Sequence, residues 1–174
     1  MKYLAIDLAK VGATGLAAFD GKELIWSGIV KYGKKGPAFH QTYSRDGDPE
    51  VSTGGKRDAA DFWRFLAEEY KTFVYEGLYL GKSAKTAMIL AETRGQVKGW
   101  LHGYDVSHRI LEISEWREAI CKHVGIAVWP RDREEGKKLS LRIAEQLHGF
   151  APSCDDEADA LLVGTAFYLL GGLL

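Results

Sequence analysis

Cysteine is nearly absent from this chain. The two present among 174 residues, Cys121 and Cys154, are too few and too far apart for a disulfide framework or a zinc-binding set. They read as free thiols in a reducing compartment, which makes a cytoplasmic location the expectation. The five histidines, His40, His102, His108, His123 and His148, show no ligand spacing and read as ordinary surface or core residues. An excess of charge is missing too. The chain has 23 Lys and Arg against 24 Asp and Glu, a net charge of −1, whereas nucleic-acid-binding domains are often clearly basic. That balance hides clusters at Lys31/Lys34/Lys35, Lys56/Arg57, Lys82/Lys85, Arg131/Arg133 and Lys137/Lys138/Arg142. No basic segment followed by a long apolar stretch stands at the N-terminus, so no signal peptide is read there. The apolar run from Ala160 to Leu174 is shorter than the roughly 20 residues of a membrane span. It is expected to form a buried helix, and no membrane partner is expected.

What is present is a globular composition, with 46% hydrophobic and 27% charged residues, enough for one domain over residues 1–174 with a sizeable core. Residues 2–8 read as a strand buried on both faces. Gly12 to Gly15 turns the chain, and Leu16 to Phe19 is a second strand. Asp20-Gly21 is a hairpin turn, because both residues tolerate positive φ, and Glu23 to Val30 follows as a third, antiparallel strand. From Lys31 to Gly55 periodicity vanishes and Gly, Ser, Asp and Lys dominate, which predicts a long mobile or functional loop over 31–55. Helical spacing returns from Lys56 to Tyr70, then a short strand runs from Thr72 to Glu76, parallel to the first.

Ser83 to Leu101 reads as a helix. Its stripe of small residues, Ala87, Ala91, Gly95 and Gly99, is read first as close packing onto the sheet and second as a contact between subunits. Asp105 to Ile113 is a further strand, and helices follow near 114–125, 134–148 and at the C-terminus. The fold class is α/β, a mixed five-stranded sheet flanked by helices.

Acids stand at the ends of these elements. Asp7 closes the first strand, Glu76 closes the strand after the first helix, and Asp156 and Asp159 open the last helix, three apart and therefore on one face. Each has an ordinary explanation alone, as a strand end or a helix cap. Together they place carboxylates from separate segments where ligands bind in open α/β sheets, beyond the carboxyl ends of parallel strands. Clustered carboxylates repel one another unless hard cations such as Mg²⁺ neutralise them. Two such ions at a phosphodiester support hydrolysis, so the pattern reads as a metal-dependent nuclease. Spacing alone does not choose between Asp155 and Asp156, since Asp155 also shares a face with Asp159.

The segments Val74-Tyr75-Glu76-Gly77-Leu78-Tyr79-Leu80-Gly81-Lys82-Ser83-Ala84, Ala87-Met88-Ile89-Leu90-Ala91-Glu92-Thr93-Arg94-Gly95 and Asp156-Glu157-Ala158-Asp159-Ala160-Leu161, together with Asp7 after a first strand, resemble the RuvC-like Holliday junction resolvases. These belong to the ribonuclease H-like superfamily. The resemblance runs in order through nearly the whole chain. It departs after Asp7, where Leu8-Ala9 stands in place of Pro-Gly, and in the length of the 31–55 segment, which points to a divergent, phage-type branch.

The resemblance implies a homodimeric endodeoxyribonuclease that resolves four-way DNA junctions. It implies Mg²⁺ or Mn²⁺, two ions per site, held by Asp7, Glu76, Asp156 and Asp159, and so selects Asp156 over Asp155. It also assigns DNA contacts to Tyr79, which would probe the junction centre, to Lys122, and to Lys137 or Lys138, while Lys82 and Lys85, following Glu76, are placed to grip phosphates. Competing readings are another nuclease of the superfamily acting on branched DNA or RNA–DNA hybrids, a nucleotide-binding actin-like domain, for which 174 residues hardly supply two lobes, and a junction-binding scaffold without catalysis.

Overall fold

Strands whose two faces are both apolar must be covered on both sides, and that requirement organises this molecule. The computed structural model describes residues 1–8, 13–33, 36–46, 58–77 and 84–172. Along the chain these form β1 (Lys2–Asp7), β2 (Ala13–Asp20), β3 (Glu23–Gly33), β4 (Gly36–Ser44), α1 (Ala59–Glu69), β5 (Thr72–Glu76), α2 (Ala84–Trp100), β6 (Ser107–Leu111), α3 (Ile113–Val124), α4 (Arg133–His148) and α5 (Asp155–Leu169). The strands build one six-stranded sheet in the order β4-β3-β2-β1-β5-β6. The β1–β2, β2–β3 and β3–β4 pairs are antiparallel; β1–β5 and β5–β6 are parallel.

Alternation in the central strands divides the core. Tyr3, Ala5, Ala17, Phe19 and Val74 pack under α3, α4 and α5, with Trp116, Ile143, Leu161 and Phe167. Leu4, Ile6, Leu16, Phe73 and Tyr75 point the other way, onto Phe62, Trp63, Leu66 and Val97 of α1 and α2. The helix α5 is apolar nearly all round and buried along most of its length, as a helix at the centre of a layer must be. The Tyr3 hydroxyl donates to the Gly164 carbonyl at 2.9 Å. A side chain at Gly164 would overlap the Phe19 ring. Among the described residues no helix is long and apolar enough to cross a membrane.

The sheet has six strands rather than the five expected, and the extra strand lies inside the segment read as a loop. β3 continues to Gly33 and β4 pairs with it from Gly36 to Ser44; residues 34–35 and 47–57, like Gly12 of the first predicted turn, lie outside the described residues. Gly, Pro, His and Gln give β4 little strand propensity, and an edge strand tolerates Pro37. Its buried and exposed positions still alternate. A register shift between Ser27 and Gly28 sends Phe39 against Trp26 and Phe62 on one face and Tyr43 against Phe150 on the other. That switch of face leaves β4 with no single apolar face for the sequence to display.

The small-residue stripe on α2 is also corrected. Ala87 is buried, but Ala91, Gly95 and Gly99 are exposed, and a side chain at either glycine would meet open space. The helix docks instead through Ala87, Arg94 and Val97.

Candidate active site

Parallel pairing aligns Ile6 with Tyr75, so Asp7 and Glu76 end adjacent strands side by side. The Glu76 backbone is held from two directions. Arg94 Nη2 donates to its carbonyl, and the next residue, Gly77, donates its N–H to Leu111 at the end of β6 at 2.6 Å.

The helix α5 brings the remaining acids. Gly15 faces Asp7 across the β1–β2 ladder, and its missing side chain leaves the space that the Asp156 carbonyl and Glu157 amide occupy. Glu157 then fastens the first turn. It is fully buried; Ser27 Oγ donates to Oε1 at 2.7 Å, and Ser153 N and Oγ donate to Oε2, both at 2.7 Å. With Glu157 directed into the sheet, its neighbours Asp156 and Asp159 carry their charge toward β1.

The carboxyls feel one another strongly. Burial, then Glu76, Asp159, Asp156 and Asp155 in that order, push Asp7 well above the usual carboxylate range. Burial and the charge of Asp159 push Glu76 up to about 7, against Arg117, a hydrogen bond from Trp116 and one shared with Asp7. Asp156 is pushed up to about 6 by burial and by Asp155 and Asp159, with Lys137 and Arg133 opposing. Asp159 is raised by burial, while a hydrogen bond from Ser140 and the charge of Arg117 pull it down. Buried like charges at close quarters disfavour full ionisation.

The acids predicted from sequence thus meet at one end of the sheet. Asp155 sits at the edge of the cluster, where Lys137 Nζ pairs with its Oδ2 at 2.8 Å. Lys137 therefore adjoins the site. Lys122 and Lys138 are exposed and pair on their own helices with Glu118 and Glu135, at 2.7 and 3.1 Å. Lys85 is exposed near the start of α2. Tyr79 and Lys82 lie outside the described residues. Trp116 is fully buried yet donates Nε1 to Glu76 Oε1 at 3.1 Å. Arg117, Glu157, Ser140 and Gly15 carried no individual signal in the sequence, because each matters through a partner distant along the chain.

Among the described residues no group of three His, Cys, Asp or Glu is arranged to hold a metal ion as it stands. Two of the clustered acids are engaged with the protein's own donors, Glu76 with Trp116 and Asp155 with Lys137. The donor chemistry nonetheless fits a hard divalent cation. The candidate donors are all carboxylate oxygens, and Asp159 Oδ1 is buried with no hydrogen-bond partner among the described residues. A buried carboxylate oxygen left without a donor is costly, and a cation would supply what it lacks.

No protein-family model matches the sequence, and comparison with curated proteins gives no match. Solved structures do match. RuvC of T. thermophilus in complex with a Holliday junction substrate superposes with a TM-score of 0.61 at 15% identity, covering 99% of this chain and 96% of that one. A second Thermus thermophilus RuvC structure matches with a TM-score of 0.61 and 17% identity over the same shares. At such identity the likeness speaks for architecture: this chain has a RuvC-like fold of the ribonuclease H-like kind.

Proposed function

We propose that this protein is a divalent-metal-dependent endonuclease that resolves four-way DNA junctions. The observation that carries the reading is the meeting of Asp7 and Glu76, on adjacent parallel strand ends, with Asp156 and Asp159 on the first turns of α5. The RuvC neighbour with the same fold is bound to a Holliday junction, which supports branched DNA as the substrate class.

Asp7 and Glu76, together with Asp156 and Asp159 of α5, would hold the divalent cations. Bound Mg²⁺ or Mn²⁺, two ions to a site, would supply activation of water and stabilisation of the departing 3′ oxygen.

 

Two such ions at the cluster match its charge. The rest is the work of the chain's own residues. Gly15 and Glu157 fix the helix end that carries Asp156 and Asp159, and Trp116 orients Glu76. Lys137, beside Asp155 at the rim, would meet a DNA phosphate. Lys85, Lys122 and Lys138, with Tyr79 and Lys82, would extend that contact along the branched substrate. A homodimer suits a junction that must be cut twice.

The test is cleavage of a labelled, immobile four-way junction with and without Mg²⁺. Glu76→Gln is expected to lose cleavage by at least roughly a hundredfold, since even residues that only orient metal ligands are worth about that much, while still binding the junction. A panel of three-way, flap and RNA–DNA hybrid substrates separates this reading from another nuclease of the same fold. Preference for the hybrid would overturn junction resolution, and tight junction binding without any nicking would overturn catalysis.

A further inference from the structure

Arg117 has an unusual setting for an arginine. It lies on α3 immediately after Trp116, and its Cζ stands 5.1 Å from the ring centres of both Trp116 and Trp129. The two indoles meet edge to face, with centroids 5.1 Å apart at 76°, and form a corner that holds the guanidinium. Its Nε is buried without a hydrogen-bond acceptor, and no carboxylate is in ion-pair contact with it among the described residues. A cation so placed needs compensation, which the two aromatic faces supply in part.

The remainder comes from the acid cluster. Trp116, against which Arg117 stacks, donates directly to Glu76, so the guanidinium sits one ring away from that carboxylate. Its charge acts on both Glu76 and Asp159. Arg117 also lines a hollow of about 730 Å³, together with Ile113, Cys121, Val128 and Trp129.

Building on the metal reading above, we propose that Arg117 is the resident counter-cation of the acid cluster, a positioning residue that offsets part of its charge when no metal is bound and limits how tightly a divalent cation binds. Its field favours the ionised acids in the empty site and repels an incoming cation. Removing that charge leaves the empty cluster less stable and the filled one more favourable.

The experiment is direct calorimetric titration of the intact protein with Mg²⁺ at mildly alkaline pH, where protons compete least. Arg117→Met and Arg117→Gln, which remove the charge, are expected to bind Mg²⁺ about tenfold more tightly and to melt at a lower temperature than the parent without metal. Arg117→Lys, which keeps the charge but not the planar stack, is expected to bind within about twofold of the parent. Should Arg117→Met fail to fold, the Gln and Lys variants still provide the contrast. Equal or weaker binding in the neutral variants, with Mg²⁺ binding normal in the parent, would overturn this inference alone. Absence of Mg²⁺ binding by the parent protein would overturn the metal reading and this inference with it.

Discussion

Glu157 and its neighbours Asp156 and Asp159 are acids of one helical turn with opposite tasks. Asp156 and Asp159 belong to the cluster, whereas Glu157 points into the sheet and accepts from Ser27 and twice from Ser153. Replacing it with Ala strands the buried Ser27 hydroxyl and removes charge-assisted bonds, at an expected cost of about 3 kcal/mol. Glu157→Gln keeps one carbonyl oxygen for Ser153 while the Ser27 hydroxyl turns to accept, so it should cost only about 1 kcal/mol. Urea unfolding of both variants measures the difference, and equal losses would mean that the contacts with Ser27 and Ser153 contribute little. The cluster acids were legible in the sequence because each stands at one end of an apolar run, a signal that needs no knowledge of neighbours. Glu157 was not, since a buried acid in a run of acids differs from an exposed one only through Ser27, which is 130 residues away along the chain. Trp116 gave no sign of its role for a related reason. Its size accounts for its burial, but its bond to Glu76 exists only once α3 lies across the end of β5.

The close approach of α5 to β2 links the elements to the site. At Gly15 a side chain would collide with backbone of α5, and backbone moves only with its helix. Gly15→Ala is therefore expected to destabilise the protein by about 1–3 kcal/mol and to reduce junction cleavage, although it removes no acid. Gly95→Ala on the open face of α2 serves as the comparison, with an expected gain of about 0.5–1 kcal/mol from helix propensity alone. Thermal melts and cleavage rates of the pair would decide it, and normal cleavage by Gly15→Ala would show that the placement of α5 is less constrained than its packing implies. At this scale the regular elements were readable where a helical period persisted, as in α1 and α4, or where an apolar run was unbroken, as in β1 and α5. β4 was hidden by its register shift and weak propensities. The stripe on α2 was misassigned because spacing identifies a face without saying what that face meets.

For the whole molecule, the acid cluster makes metal-free stability depend on pH in a definite direction. Glu76 is raised to about 7 and Asp156 to about 6, so the folded protein holds these protons more tightly than the unfolded chain. Their stabilising contribution is complete below the ordinary carboxylate range and is lost as pH rises through 6 to 7; Glu76 alone accounts for on the order of 3 kcal/mol. His148 acts in the opposite sense. Burial lowers it to about 4, so its contribution is complete above about 6.5 and is lost as pH falls toward 4. Metal-free protein should therefore be most stable in mildly acidic solution and weaken toward alkaline pH. Mg²⁺ binds only the ionised carboxylates, so its stabilisation should grow over the range where the metal-free protein weakens. Melting curves recorded across that range, with Mg²⁺ and with a chelator, are expected to diverge as pH rises and to merge in acid. A constant offset between the two series would mean that the cation binds somewhere other than the cluster of Asp7, Glu76, Asp156 and Asp159.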